Sequence, residues 1–246
     1  MQRLILNSAA YKQSSKVTPD LFAKDQFNRL LARGARLRVE GEIVRDISLA
    51  VSGLLNPKLG GRSVMPPAPE FIFKPPASYA PFPWIEETGP EKYRRAVYTW
   101  RRRSTPYPLL QIFDVPSGDS SCVRRMRSNT PLQALLTLNE PMFMEAAQGL
   151  ARKMIDEGGK TDAERIAYAF RRCLSRPPTE AEAKVIVTLL EKERAHLSEG
   201  WVNQFELATG ANKLPNLPVG VTPVQFAAYA MAARVMLNLD ETITKE

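Results

Sequence analysis

Apolar residues along most of this chain recur at three- and four-residue spacing, the period of a helix buried on one side. Over residues 38–52, Val39, Ile43, Ile47, Ala50 and Val51 form such a stripe, with Glu42, Arg45 and Asp46 opposite. Gly53 and Pro57 then supply stop signals. Thr18-Pro19 reads as an N-cap with proline at the first helical position, ahead of Leu21-Phe22-Ala23. Thr130-Pro131 opens a short helix through Leu138, and Asn139-Glu140-Pro141 restarts one with the stripe Phe143, Ala147, Leu150 and Met154. Gly158-Gly159 ends it. Thr161-x-x-Glu164 and Thr179-x-x-Glu182 are capping boxes for two more helices, separated by Arg176-Pro177-Pro178. Thr222-Pro223 begins the last, with Phe226, Ala230 and Leu237, and residues 201–220 read mostly as loop.

Two stretches break the helical pattern. In 94–103, Ala96, Tyr98 and Trp100 alternate with Val97 and Thr99, which predicts a strand, and Leu109 to Phe113 reads as a second. Residues 66–90 hold eight prolines interleaved with Phe71, Phe73, Tyr79, Phe82 and Trp84. Proline removes backbone donors and fixes φ, so helix is excluded there and sheet disfavoured. The aromatics imply an extended crossing segment pinned to the globule, with a peptide-binding groove or a ligand-presenting strand as the alternative. The fold class is therefore mainly α: a helical domain with a small β element at about 94–113 and a proline-rich extended segment. Residues 1–246 read as one domain, with a basic N-terminal half (1–130) and a helical C-terminal half (131–246).

The charge sharpens that division. The net charge is +8, yet residues 1–130 carry 21 Lys and Arg against 11 Asp and Glu, while residues 131–246 carry 13 against 15. Between Lys92 and Arg127, nine basic residues face only Asp114 and Asp119. Either an acidic partner or a simple solvated face accounts for this. With 44% hydrophobic and 24% charged residues, the chain is ordinary for a globular protein, and disorder is excluded. No apolar run approaches the roughly 20 residues of a membrane span. The first seven residues are too quickly polar for a signal peptide's apolar region.

Scarce ligands exclude several chemistries. There are two cysteines and one histidine, with no C-x-x-C-H for covalent haem and too few Cys and His for a structural zinc site. The expectation is no cofactor and no metal in this chain. His196, near a helix end, reads as a partner of the helix dipole rather than a catalytic base, and no nucleophile-elbow sequence accompanies it. Cys122 and Cys173 are either a pair or two separate thiols.

The most distinctive stretch is Phe113-Asp114-Val115-Pro116, then Arg124-Arg125-Met126-Arg127-Ser128-Asn129-Thr130-Pro131-Leu132-Gln133. Arginines there precede a capped helix N-terminus, whose free N–H groups and dipole favour an anion. Asp114, Arg124, Arg125, Arg127, Asn129, Thr130, Gln133 and Trp100 are the candidate binding residues; no catalytic residue is assigned. The plainer alternative is that the arginines pair with Asp114 and carbonyls to hold an irregular loop. As an enzyme, the chain would use Asp114 or Asp119 as acid or base, with Tyr98, Trp100 or Tyr107 stacked on an anionic sugar. Nucleic-acid binding rests on the basic balance alone and matches no motif.

These blocks resemble a known family, the planctomycete-specific domain labelled domain of unknown function fifteen-fifty-three. Its other blocks here are Arg3-Leu4-Ile5, Tyr11-x-Gln13-Ser14-Ser15, Asn28-Arg29-Leu30-Leu31 and Glu42-x-Val44-Arg45-Asp46. Leu49 to Gly53, Gly60-Gly61-x-Ser63-Val64, Asn129 to Leu135 and a closing Leu237-Asn238-Leu239-Asp240-Glu241 complete a match running nearly end to end. The resemblance implies an excised C-terminal domain of a longer exported, cytochrome c-associated protein, with haem confined to an upstream module. It implies an accessory or interaction role, periplasmic or exported localisation, and a compartment that permits a Cys122–Cys173 bridge. Its partners would be other domains of the same protein, or an acidic polysaccharide or acidic protein, without a membrane span.

Overall fold

Helix α10 (Pro223–Leu237) has almost no polar side to turn outward, and the C-terminal half is arranged around it. The computed structural model describes residues 1–68, 70–73, 83–103, 105–210 and 217–245. Ala227, Ala228, Ala230, Ala232 and Ala233 are fully buried, and their small side chains let neighbouring backbones approach closely. Against α10 pack α6 (Pro141–Glu157), α8 (Glu180–Ser198) and α9 (Gln204–Thr209), with α7 (Asp162–Leu174) beside them. Leu150, Met154, Ile166, Phe170, Leu190, Phe226 and Met236 make one apolar cluster. A helix apolar all round belongs at such a centre.

The predicted caps hold. Thr18, Thr130, Thr161, Thr179 and Thr222 each accept an N–H in the first turn of the helix they begin. At the restart before Pro141, the cap is Glu140, whose carboxylate accepts from Met142 and Phe143. Pattern reading passed over α1 (Gln2–Asn7), α9 and α11 (Asp240–Ile243), all of six residues or fewer and too short to show a period.

The β element lies elsewhere than predicted. Among the described residues the only sheet pairs β1 (Leu37–Arg38) with β2 (Thr244–Lys245), antiparallel, joining Leu37 to Lys245 and Arg38 to Thr244. In place of a strand at 94–103 there are a 3₁₀ turn, Ala96–Tyr98, and two isolated parallel bridges, Asn56 with Arg94 and Val64 with Thr99. Residues 109–113, also expected as strand, form most of helix α4 (Pro108–Ile112) and its end. Pro108 sits at its first position, a helix-start signal that outweighs the short apolar run. The alternation at 96–100 does not carry through to burial: Ala96 is buried, but Trp100, predicted on the same side, is exposed.

The proline-rich segment is pinned where it is described. Trp84 Nε1 donates to the Pro66 carbonyl at 2.9 Å, and its ring stacks on Tyr107. The N–H of Glu87 donates to Met65 at 2.9 Å, and that of Ala68 to Glu86 Oε1 at 2.8 Å. Residues 70–73 form a short 3₁₀ turn, contrary to the exclusion of helix. Residues 69 and 74–82, with Tyr79 and Phe82, lie outside the described residues.

Helix α3 (Gly41–Ser52) has the expected ends but a different inner side. Arg45 and Asp46, read as solvent-facing, are buried, whereas Ile43 is exposed. The cause is the irregular chain beside α3, whose carbonyls and N–H groups need partners. Arg45 donates to the carbonyls of Arg94 at 2.6 Å and Lys92 at 2.7 Å. Asp46 accepts the Ala96 N–H at 2.7 Å and Arg95 Nε at 3.2 Å. Arg94, also buried, donates onward to Arg62 at 3.0 Å, to Lys58 at 3.2 Å and to Gly60. Its guanidinium lies 3.8 Å from the centre of the Tyr98 ring. At the start of α3, a Cβ on Gly41 would meet Phe113 Cβ at 2.7 Å. Only glycine lets the 113–116 loop come this close.

Removing Arg45 leaves two carbonyls without a donor in a dry environment. Arg45→Met is expected to lose roughly 3 kcal/mol of stability, read as a fall in the urea midpoint. Thr130→Ala should lose about 1 kcal/mol in the same assay.

Candidate functional site

Helix α5 (Pro131–Asn139) begins at the end of the 113–130 loop, and its first turn gathers that loop's polar groups. Asp114 holds φ +59°, a left-handed conformation that Asp tolerates better than most residues. Its Oδ2 accepts from the Ser128 N–H at 2.8 Å and the Ser128 hydroxyl at 2.6 Å. Gln133 is buried and donates from Nε2 to the Ile112 carbonyl and Ser128 Oγ, each at 3.0 Å. Its Oε1 accepts from Arg38 at 2.9 Å. Arg38 continues to Asp240 at 2.9 Å, which also receives Arg36 at 3.1 Å and Asn129 Nδ2 at 3.4 Å. One polar chain thus runs from Asp114 to the C-terminal turn.

Two of the predicted arginines are already paired. Arg125 donates to Glu40 at 2.6 Å and Glu42 at 2.9 Å, and Arg127 reaches Glu40 at 3.4 Å. Both carboxylates stand at the start of α3, far away in sequence, which is why no local pattern revealed them. Glu42 did lie in a block singled out above. The arginines pair with these glutamates rather than with Asp114. Arg124 is exposed and has no partner among the described residues. Trp100 is partly exposed and lines a cleft of about 460 Å³ together with Arg101, Gln111, Glu42 and Arg125.

Other expected participants are occupied. Tyr107 is buried and donates to the Pro67 carbonyl at 3.1 Å; burial raises its phenol well above the usual value. The Tyr98 hydroxyl accepts the Gly60 N–H at 2.8 Å. Asp119 stands in an exposed loop with no hydrogen bond to Asp114 among the described residues. His196 lies in the last turn of α8. Cys122 is exposed and Cys173 buried, and both are free thiols, so the bridge that the resemblance permitted is not formed. Burial pushes the Cys173 thiol up to about 12. Among the described residues, no group of three or more His, Cys, Asp or Glu is placed to hold a metal ion. None of their helices is long and apolar enough to cross a membrane.

Residues 1–190 match the family described as PSD1: Protein of unknown function (DUF1553). The chain belongs to this family. The PSD1 match ends inside α8, so the closing 237–241 block and all of α10 fall beyond it. Asp240 nevertheless bonds Arg36, Arg38 and Asn129, all within the PSD1 region. No curated protein and no solved structure gives a significant match to the chain.

A titratable group missed by pattern reading lies beside this region. Burial pushes the Glu140 carboxyl up to about 7, opposed by the Phe143 and Met142 N–H groups and by Arg45. A raised carboxyl favours the protonated folded state, so stability declines as pH rises from about 4.5 to about 7. Glu182 is held down to about 2 by Arg176, so its contribution is lost in a separate window, as pH falls below about 4.5. Glu140→Gln keeps an acceptor at the cap and should flatten the decline of melting temperature between pH 5 and 7. Asp114→Ala should cost about 1–3 kcal/mol by unpairing Ser128. In the same urea melts Arg125→Gln should cost no more than about 1 kcal/mol and Arg124→Gln nothing measurable.

Proposed function

We propose that this chain is a non-catalytic interaction or accessory domain that docks through its basic N-terminal half. One observation carries this: the first 36 residues display apolar side chains that the rest of the chain leaves uncovered. Neither α1 nor α2 (Pro19–Lys24) has a buried residue. Leu4, Phe27, Leu30 and Leu31 are each at least three-quarters exposed, and Ile5, Tyr11 and Phe22 more than half. An isolated exposed leucine is ordinary, but such a concentration signals a surface to be covered. The same residues hold seven lysines and arginines against Asp20 and Asp25, which adds the charge asymmetry to the apolar signal.

In this role the chain is part of a longer exported, cytochrome c-associated protein, carries no cofactor itself, and meets other domains of that protein. The pairing of Arg125 and Arg127 with Glu40 and Glu42 supports a structural part for the 124–133 segment. An alternative is the substrate-binding half of an enzyme for an anionic carbohydrate. Its support is the shared cleft of Trp100, Arg101 and Arg125, and a glycan array with sulfated and carboxylated members tests it.

The decisive comparison is amide hydrogen exchange over residues 1–36 in this chain alone and in the natural polypeptide that contains it. Slower exchange in the longer polypeptide is the expected outcome. Equal exchange in both would remove the docking function.

A further inference from the structure

Within the exposed N-terminal arm, one segment is built rather than merely uncovered. Asp25 is buried, and its carboxylate accepts the N–H groups of Arg29 and Leu30, each at 2.7 Å. Asn28 donates to the Arg33 carbonyl at 2.8 Å and accepts the Arg33 N–H at 3.3 Å. The Arg33 guanidinium returns to the carbonyls of Asp25 at 2.9 Å and Gln26 at 2.8 Å. Gln13 Nε2 clamps the Leu31 carbonyl at 3.1 Å, and the Gly34 N–H donates to Ser14 at 2.9 Å. A Cβ at Gly34 would sit 2.5 Å from the Gln13 carbonyl oxygen.

The product of all these bonds is a display. Phe27, Leu30 and Leu31 are 80, 76 and 75% exposed. Leu31 holds φ +54° and Asn28 φ +52°. A leucine in the left-handed region is strained, and here no burial of its side chain offsets the strain. Every hydrogen bond described for residues 1–35 stays within those residues, so the remainder of the chain does not explain the geometry.

We infer that residues 25–33 are a preorganised docking knuckle, with Phe27, Leu30 and Leu31 as anchors for an apolar pocket on an acidic partner protein. The acidic character follows from charge. Lys24 and Arg29 flank the anchors with no side-chain partner among the described residues, and Asp25, the knuckle's one carboxylate, is spent on its own backbone. Ordering the loop before binding spares the entropy that a flexible arm would lose on docking. The inference rests on the interaction role above and adds the anchor and the partner's chemistry.

A displayed library of small helical domains with randomised surfaces, selected on the full chain without counter-selection, provides the probe. The expected binders carry carboxylates around an apolar pocket and weaken about tenfold or more with Phe27→Ser, Leu30→Ser or Arg29→Glu. Asn28→Gly should also weaken them although every anchor remains, because it unlocks the loop while suiting the positive φ. Melting curves of Arg29→Glu and Asn28→Gly confirm folding, so loss of a fold cannot imitate loss of docking. Binders that depend on Leu4 or Ile5 but not on the knuckle would overturn this inference and leave the interaction role standing. Absence of any arm-dependent binder would overturn both. Knuckle-dependent binders without carboxylates would overturn the acidic partner. So would a dimer of this chain, or attachment to phosphatidylserine vesicles, that Phe27→Ser abolishes.

Discussion

The N-terminal half of this protein depends on arginines that serve as backbone partners. A helix or a sheet pairs its own N–H and C=O groups; the segments around residues 56–68 and 84–103 do so only in short 3₁₀ turns and at two isolated bridges. Their buried carbonyls must find donors or lose about the free energy of an unmade hydrogen bond each. Arg45 and Arg94 answer that need in series: the first holds the turn that contains the second, and the second holds the loop before it. Asp46 takes N–H groups on the same route. A guanidinium suits this because its donors form a rigid planar fork, which a lysine ammonium cannot reproduce. The basic excess of the first half is thus partly internal scaffold.

The 113–130 loop follows the same economy. Asp114, Ser128, Gln133 and Arg38 bond one another in a chain ending at Asp240, while Glu40 and Glu42 take up Arg125 and Arg127. An anion arriving there would compete with carboxylates already within hydrogen-bond distance. Local charge counting marks the segment as a site; pairing across the fold turns most of it into a clamp between α3, α5 and the C-terminal turn. What remains accessible is Arg124 and the cleft beside Trp100.

The two halves obey different physics. The C-terminal half is held by apolar burial around α10, where small alanines permit close helix packing. The N-terminal half contributes Val44, Leu49 and Tyr107 to a smaller apolar cluster that it shares with Phe143 of α6, and relies on directed polar bonds for its shape. The first 36 residues go further and order themselves almost without a core. Such an arm gains little from folding alone, which fits a surface whose main burial comes from a partner.

By itself the sequence determined the helices from α5 through α8 and α10, because N-caps, capping boxes and proline at the first helical position act within a few residues of chain. It determined the stripe of α6, the family blocks and the position of the charge excess for the same reason. Tertiary structure decided which side of α3 turns inward, since the need for donors came from residues 58–94 and not from the helix's own period. It decided that Ala96–Tyr98 turn and that the backbone beside them pairs only at isolated bridges to Asn56 and Val64. It also decided the fate of the candidate site: the glutamates that neutralise Arg125 lie 85 and 83 residues away, beyond the reach of any local pattern.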